Sequence, residues 1–177
     1  MSKFMDLALK RQSCRSFADV PVEHEKLEQI IAAARLTPSA CNSQPWQFVV
    51  AERPDVVAKI AEAGQQMGIN GFLTGAKAFI VVLEDHAVLM AKIRTFIDSQ
   101  YYAKQDIGAA VVTACYAAAD MGLGTCIIGL YDRAKIAEAV GLPKTQRFGA
   151  LIAVGYPADD AVREKKRKDM DDIVRYV

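Results

Sequence analysis

Apolar side chains recur at helical spacing over residues 3–12 and again over 23–36, where Leu27, Ile30, Ile31 and Ala34 form the stripe. The second stretch opens behind Pro21 with Glu23 and Glu25, carboxylates suited to the positive end of a helix. From residue 37 to 45 the period is lost, and two prolines, two serines and an asparagine predict a turn-rich loop. The runs 46–51, 78–83, 124–128 and 148–154 are short, continuous and rich in Val, Ile and Phe, the pattern of strands buried on both faces. Between them, 54–65, about 87–99 and 105–121 return to a helical period. The last is alanine-rich and nearly free of charge, with Ile107, Ala110, Val111, Ala114, Cys115 and Ala118 marking a central, buried helix. Four or five strands with covering helices predict an α+β sandwich.

At 177 residues and 52% hydrophobic content the chain is expected to form one domain, 1–177, with a substantial core. The net charge of +1 offers no global field for nucleic acid or a membrane surface, so the expected partners are small molecules and a second copy of the chain. Cys14, Cys41, Cys115 and Cys126 lack metal-ligand spacing and only His24 and His86 could complete a set, so no metal site is expected. The first residues do not read as a leader and no run is long enough to span a bilayer, so a reducing cytoplasm is the expected location. The tail stands apart: 163–168 holds five basic residues in six.

There is no GxSxG elbow. The stretch Gly122-Leu-Gly-Thr-Cys-Ile-Ile-Gly129 has isoleucine where a dinucleotide fingerprint needs its third glycine, and Gly71, Gly75 and Lys77 lack P-loop spacing. Arg11, Ser13 and Arg15 alternate after the first helix. In an extended segment they share one side and could grip a phosphate through charge-assisted bonds, though from these residues alone surface arginines without a task are the favoured reading. The loop Pro38-Ser-Ala-Cys-Asn-Ser-Gln-Pro-Trp46 offers amides and hydroxyls in a proline-stiffened frame, suited to the polar edge of a flat heterocycle or simply to a capped helix exit.

Together these motifs resemble the nitroreductase family of FMN-dependent NAD(P)H oxidoreductases. Arg11-Gln-Ser-Cys-Arg-Ser-Phe17 is similar to that family's Arg-x-Ser-x-Arg-x-Phe opening, and the 38–46 loop to its Asn-x-Gln-Pro-Trp loop. The likeness continues through 106–119, 122–129, Gly155-Tyr-Pro157 and the basic Lys165-Lys-Arg167. It implies a three-layer α/β/α sandwich with a mixed, mostly antiparallel sheet around the central helix, in an intertwined homodimer. It further implies that Arg11, Ser13, Arg15, Lys165 and Arg167 hold the FMN phosphate and ribityl chain. Pro38, Ser39, Ala40 and Asn42 would come from the partner subunit to line the flavin, Gln44 would join the cofactor-binding residues, and backbone N–H groups at Ile128 and Gly129 would face flavin N5. No side chain is expected to act as catalyst, because the flavin carries the chemistry. The implied reaction is ping-pong electron transfer from NAD(P)H to a flat acceptor such as a nitroaromatic or quinone. Tyr101 and Tyr102 are either acceptor contacts or, preferably, dimer packing.

Two departures from the pattern are Gln12, where a second arginine is common, and the thiol of Cys41 in the flavin loop. They keep other readings open: a reductive dehalogenase or flavin-consuming enzyme on the same fold, a non-catalytic flavin carrier or redox sensor reporting through Cys41, and, more weakly, a thiol hydrolase pairing Cys41 with His24 or His86.

Overall fold

The computed structural model describes residues 2–66, 68–94, 97–98 and 100–177. Its centre is a sheet of β1 (Trp46–Ala51), β2 (Ala78–Glu84), β3 (Gly124–Ile128) and β4 (Phe148–Gly155), ordered β1-β2-β4-β3 with every neighbour antiparallel. The central strands β2 and β4 are buried along nearly their whole length because helices cover both faces. On one face Phe79, Val81, Leu83, Leu151 and Ala153 pack with α3 (Pro54–Gly64) and α6 (Arg133–Ala139). On the other, Ala78, Ile80, Val82, Ile152 and Val154 pack with α2 (His24–Arg35) and α5 (Gln100–Asp120). The predicted sandwich is therefore a three-layer α/β/α arrangement. A parallel bridge, Ser13 to Thr125, adds the one pairing of mixed sense among the described residues.

Local chemistry sets the helix ends. Ser2 caps α1 (Lys3–Lys10) by accepting from the Met5 N–H, Pro54 opens α3 at its first turn, and Asp132 accepts from Ala134 and Lys135 to start α6. Three boundaries differ from the sequence reading. The first helix stops at Lys10, where Arg11 turns extended so that the next residues can reach the sheet. The alanine-rich helix begins at Gln100. Over the predicted 87–99 helix only α4 (Ala91–Arg94) forms, and residues 95, 96 and 99 lie outside the described residues. Ala87 and Leu89 turn inward while Val88 and Met90 stay exposed, an alternation of extended chain that overrides the helical reading.

Helix α5 buries one face, with Ala103, Ile107, Ala110, Val111, Ala114 and Ala118, so its small side chains let it approach the sheet. Its opposite face, including Tyr101, Gly108, Ala109 and Val112, remains exposed. No helix among the described residues is long and apolar enough to cross a membrane.

The stretch from Arg11 to Phe17 is laced to the sheet margin: the Cys14 N–H donates to Thr125 O at 2.8 Å, Ala18 N–H to Tyr156 O at 2.9 Å, and Ala158 N–H to Ser16 O at 3.0 Å. Its side chains fit over Gly124 and Gly155, which face each other across β3 and β4. A Cβ on Gly124 would stand 2.7 Å from Cys14 Cβ and Sγ. Gly124→Ala should therefore cost about 1–3 kcal/mol through overpacking. Urea unfolding checks this, and an unchanged midpoint would show that the segment moves aside freely.

A second tie joins α2 to the end of β4. Tyr156 donates to Glu23 Oε2 at 2.7 Å and accepts from Lys26 Nζ. That hydrogen bond, more than any other influence, holds the exposed Glu23 carboxyl below its ordinary range. A depressed carboxyl stabilises the fold above its unfolded-state value, and the contribution is lost as pH falls through the folded value. Tyr156→Phe should thus be less stable than the parent at neutral pH, with the gap closing below the carboxylate range; a gap independent of pH would assign the loss to packing.

Candidate functional site

After the C-cap of α1 the backbone runs extended, so Gln12 and Cys14 alternate with Ser13 and Arg15; Cys14 is buried beneath the segment and Arg15 is exposed. The C-terminal tail folds back on this stretch. Gln12 Nε2 donates to Ala161 O at 2.6 Å, while its Oε1 accepts from both the backbone N–H and Nε of Arg163 at 3.1 Å. The Arg163 guanidinium also donates to the Ser13 carbonyl, and Lys165 Nζ donates to the Arg11 carbonyl at 2.6 Å. Gln12, conspicuous in sequence for not being arginine, is thus the residue that fastens the tail, and Arg163 is a participant that sequence reading missed. The basic run around Arg163 was its only signal.

These contacts crowd positive charge. Lys165 is pushed below its ordinary value first by partial desolvation and then by Arg11, Arg167 and Arg163. Arg15 and Arg163 both reach the field of Cys126, whose thiol is nonetheless raised by burial. Arg11 lies 5.9 Å from the centre of the Tyr116 ring, at the far end of α5. Among the described residues, none of Arg11, Arg15, Arg163, Lys165 or Arg167 is ion-paired to a carboxylate. The structure thus gathers Arg11, Arg163, Lys165 and Arg167 in a cluster without a paired carboxylate among the described residues, with Ser13 bridged to β3 on the same segment and Arg15 reaching the field of Cys126, and a phosphate monoester matches the cluster in charge and hydrogen-bonding capacity.

The 38–44 loop sits elsewhere. It turns through a short 3₁₀ segment, Ala40–Asn42, with φ of 53° at Cys41, 52° at Asn42 and 46° at Gln44. Left-handed backbone costs a non-glycine residue on the order of 1 kcal/mol. Hydrogen bonds offset the cost: Asp106 accepts from Ala40 N–H at 3.2 Å, Ser39 Oγ accepts from Gln44 N–H at 2.9 Å, and Gln44 Nε2 donates to Asn42 O at 3.2 Å. Pro38, Cys41, Asn42 and Gln44 are left exposed. The anchors of the two halves on α5, Asp106 for the loop and Tyr116 for the cations, lie ten residues apart, roughly 15 Å along the axis. No described hydrogen bond joins the loop to the cation cluster within this chain.

Ile128 closes β3 with its side chain buried, and a Cβ on the exposed Gly129 would meet nothing within 4 Å, so the backbone there is open to a flat ring. Tyr101 and Tyr102 meet edge to face at 5.2 Å on the first turn of α5, Tyr101 exposed and Tyr102 half-buried. His24 is bonded to Glu52 at 3.0 Å, and no described hydrogen bond links it or His86 to Cys41. Cys14, Cys115 and Cys126 are buried free thiols raised by desolvation, whereas Cys41 is free and exposed.

Comparison with known proteins gives relatives along nearly the whole chain. The FMN reductase [NAD(P)H] of Bacillus subtilis is 29% identical over 175 residues, covering 94% of this chain and 70% of the relative. Iodotyrosine deiodinase 1 of Mus musculus is 27% identical over 197 residues, covering 97% of this chain and 68% of the relative. A structure from Desulfovibrio desulfuricans, of a protein assigned as a nitroreductase in complex with FMN, superposes with a TM-score of 0.78 at 26% identity, covering 100% of this chain and 98% of that one. The model of the nitroreductase family matches residues 8–156, through both the arginine segment and the proline-framed loop, and the chain belongs to that family.

Proposed function

We propose that this chain is an FMN-dependent oxidoreductase that takes electrons from NAD(P)H and passes them to a small flat acceptor, such as a nitroaromatic or a quinone. The observation carrying this reading is the cluster of Arg11, Arg163, Lys165 and Arg167, mutually repelling and without a paired carboxylate among the described residues. Such a cluster is relieved by a dianion. The similarity to an FMN reductase and to an FMN complex supports FMN as the molecule that bears it.

In this reading the domain spans 1–177 and acts in the cytoplasm as a homodimer. Arg11, Ser13, Arg15, Lys165 and Arg167 hold the phosphate and ribityl chain, and Arg163 keeps the tail in place. Pro38, Ser39, Ala40, Asn42 and Gln44 line the flavin of the second copy, since their loop and the cation cluster are held apart within one chain. Phe4, Met5 and Leu9 on α1, with Tyr101 and Val112 on α5, are exposed apolar side chains that a second copy would cover. Tyr101 and Tyr102 belong to that packing. Bound FMN supplies the two-electron chemistry. The chain orients it, and the N–H groups at Ile128 and Gly129 offer donors to the ring edge where electron density rises. NAD(P)H and acceptor then use one face in turn, giving ping-pong kinetics. The deiodinase relative favours a second reading, reductive dehalogenation on the same framework.

Purified protein should take up FMN in preference to riboflavin, bleach with NAD(P)H and regain colour with an acceptor. Lys165→Ala should weaken FMN by about ten- to a hundredfold, the loss of one charge-assisted bond, with riboflavin unchanged. Colour restored by a nitroaromatic or quinone supports the first reading, restoration by iodotyrosine alone supports the second, and indifference to FMN overturns both.

Site sharing has its own test. Arg11→Ala chains are mixed with Asn42→Ala chains, unfolded and refolded together. If each site takes its cations from one subunit and its loop from the other, hybrid dimers carry one intact site and recover FMN binding and turnover. A mixture no more active than its parents would place both halves of a site in one chain.

A further inference from the structure

The proline-framed loop holds Cys41, Asn42 and Gln44 in left-handed backbone, and a strained loop keeps one shape only when its surroundings fix both ends. The start is fixed by Asp106 on α5, which accepts from the Ala40 N–H. The end is fastened as well. The Pro45 carbonyl accepts from the Asp85 N–H at 3.1 Å, and Gln47 Nε2 donates to Asp85 Oδ2 at 2.8 Å. Asp85 follows the last residue of β2, at the point where Trp46 and Glu84 stand opposite each other in the sheet.

Asp85 is held in turn by Gln100, the first residue of α5. Its amide reaches three partners: Nε2 donates to Glu84 Oε1 at 2.8 Å and to the Asp85 carbonyl at 3.1 Å, while Oε1 accepts from the Ala87 N–H at 2.8 Å. The Glu84 side chain is only 10% exposed, and Arg147 Nη1 stands 3.5 Å from the same Oε1, so the carboxylate is set between two donors. Both fastenings of the loop therefore lead to one helix, through Asp106 and through Gln100, six residues and roughly 9 Å apart along its axis.

This network is remote from the cations. Glu84 and Arg147 lie at one end of the β2–β4 pair, whereas Gly155, under the arginine segment, lies at the other, roughly 23 Å along the strand. A change at Gln100 can thus reach the loop and leave the phosphate grip intact. We propose that Gln100 is a positioning residue for the flavin site of the partner subunit, a role that rests on the flavin reading above. It acts through Asp85 and Pro45, holding the 38–46 loop in the shape that meets the flavin ring.

The test compares FMN and riboflavin binding in Gln100→Met, which keeps the length and helix propensity of the side chain and removes both ends of its amide. Both flavins should bind about tenfold more weakly and by the same factor, because the ring loses its support and the phosphate does not. Lys165→Ala, by contrast, weakens FMN alone. Gln47→Thr, at an exposed strand position, should give the same signature at smaller size. In refolded mixtures, Gln100→Met chains should restore turnover to Arg11→Ala chains and fail to restore it to Asn42→Ala chains, a pattern that a weakened fold alone does not produce. The proposal is overturned if both variants bind the two flavins as the parent does, whatever their melting temperatures. Weakening confined to FMN overturns it too, as does rescue of Asn42→Ala in place of Arg11→Ala. A parent that binds neither flavin overturns the flavin reading instead. If Arg11→Ala and Asn42→Ala chains stay inactive together, site sharing fails and the comparison of the two flavins decides the role of Gln100.

Discussion

Strands β2 and β4 lie in the middle of the sheet with hardly a polar side chain between them, and everything else is arranged to keep water from their two faces. The α3 and α6 side covers one face with short helices. The other is covered by α2 and by α5, a helix whose buried stripe is almost entirely alanine, valine and isoleucine. Alanine allows close approach to the sheet and provides little bulk of its own, so the helix carries apolar character around more of its circumference than one chain covers. The open face of α5 follows from the sheet's demand, and association of two chains is a natural way to satisfy it.

The cation cluster rests on a different balance. Side chains of like charge would separate if only their own fields acted. They are held because two of them spend their donors on backbone carbonyls, Arg163 on Ser13 and Lys165 on Arg11, and because Gln12 grips the tail through both ends of its amide. A backbone carbonyl accepts a cation without cancelling its charge. The fold is therefore able to position positive charge while leaving most of it for a ligand, which a carboxylate partner would have prevented.

The strands and the long helices were legible because continuous Val, Ile and Phe runs and the alanine stripe reflect burial directly. The two halves of the proposed site stood out as residue types: Arg11, Ser13 and Arg15 two apart, and the proline-framed loop. Their support did not. The Gln12–Arg163 clamp joins positions 151 apart, and no local spacing announces it. Helix α6 was overlooked because its seven residues are too few to show a period and Ile136 is their one large apolar side chain. The helical reading of 87–90 failed because Ala87 and Leu89 alternate inward. The left-handed turns at Cys41, Asn42 and Gln44 were hidden as well, since glycine, their usual marker, is absent.

The bond between Lys165 and the Arg11 carbonyl ties positions separated by 154 residues, nearly the whole chain. A nascent chain emerging from the ribosome presents Arg11 early, yet the lysine that completes the pair follows only 154 residues later. The sheet also needs β4, its last strand, before the central pair can close. A chain cut before Lys165 thus lacks a cation of the cluster, and one cut before β4 also lacks the strand that joins β2 to β3.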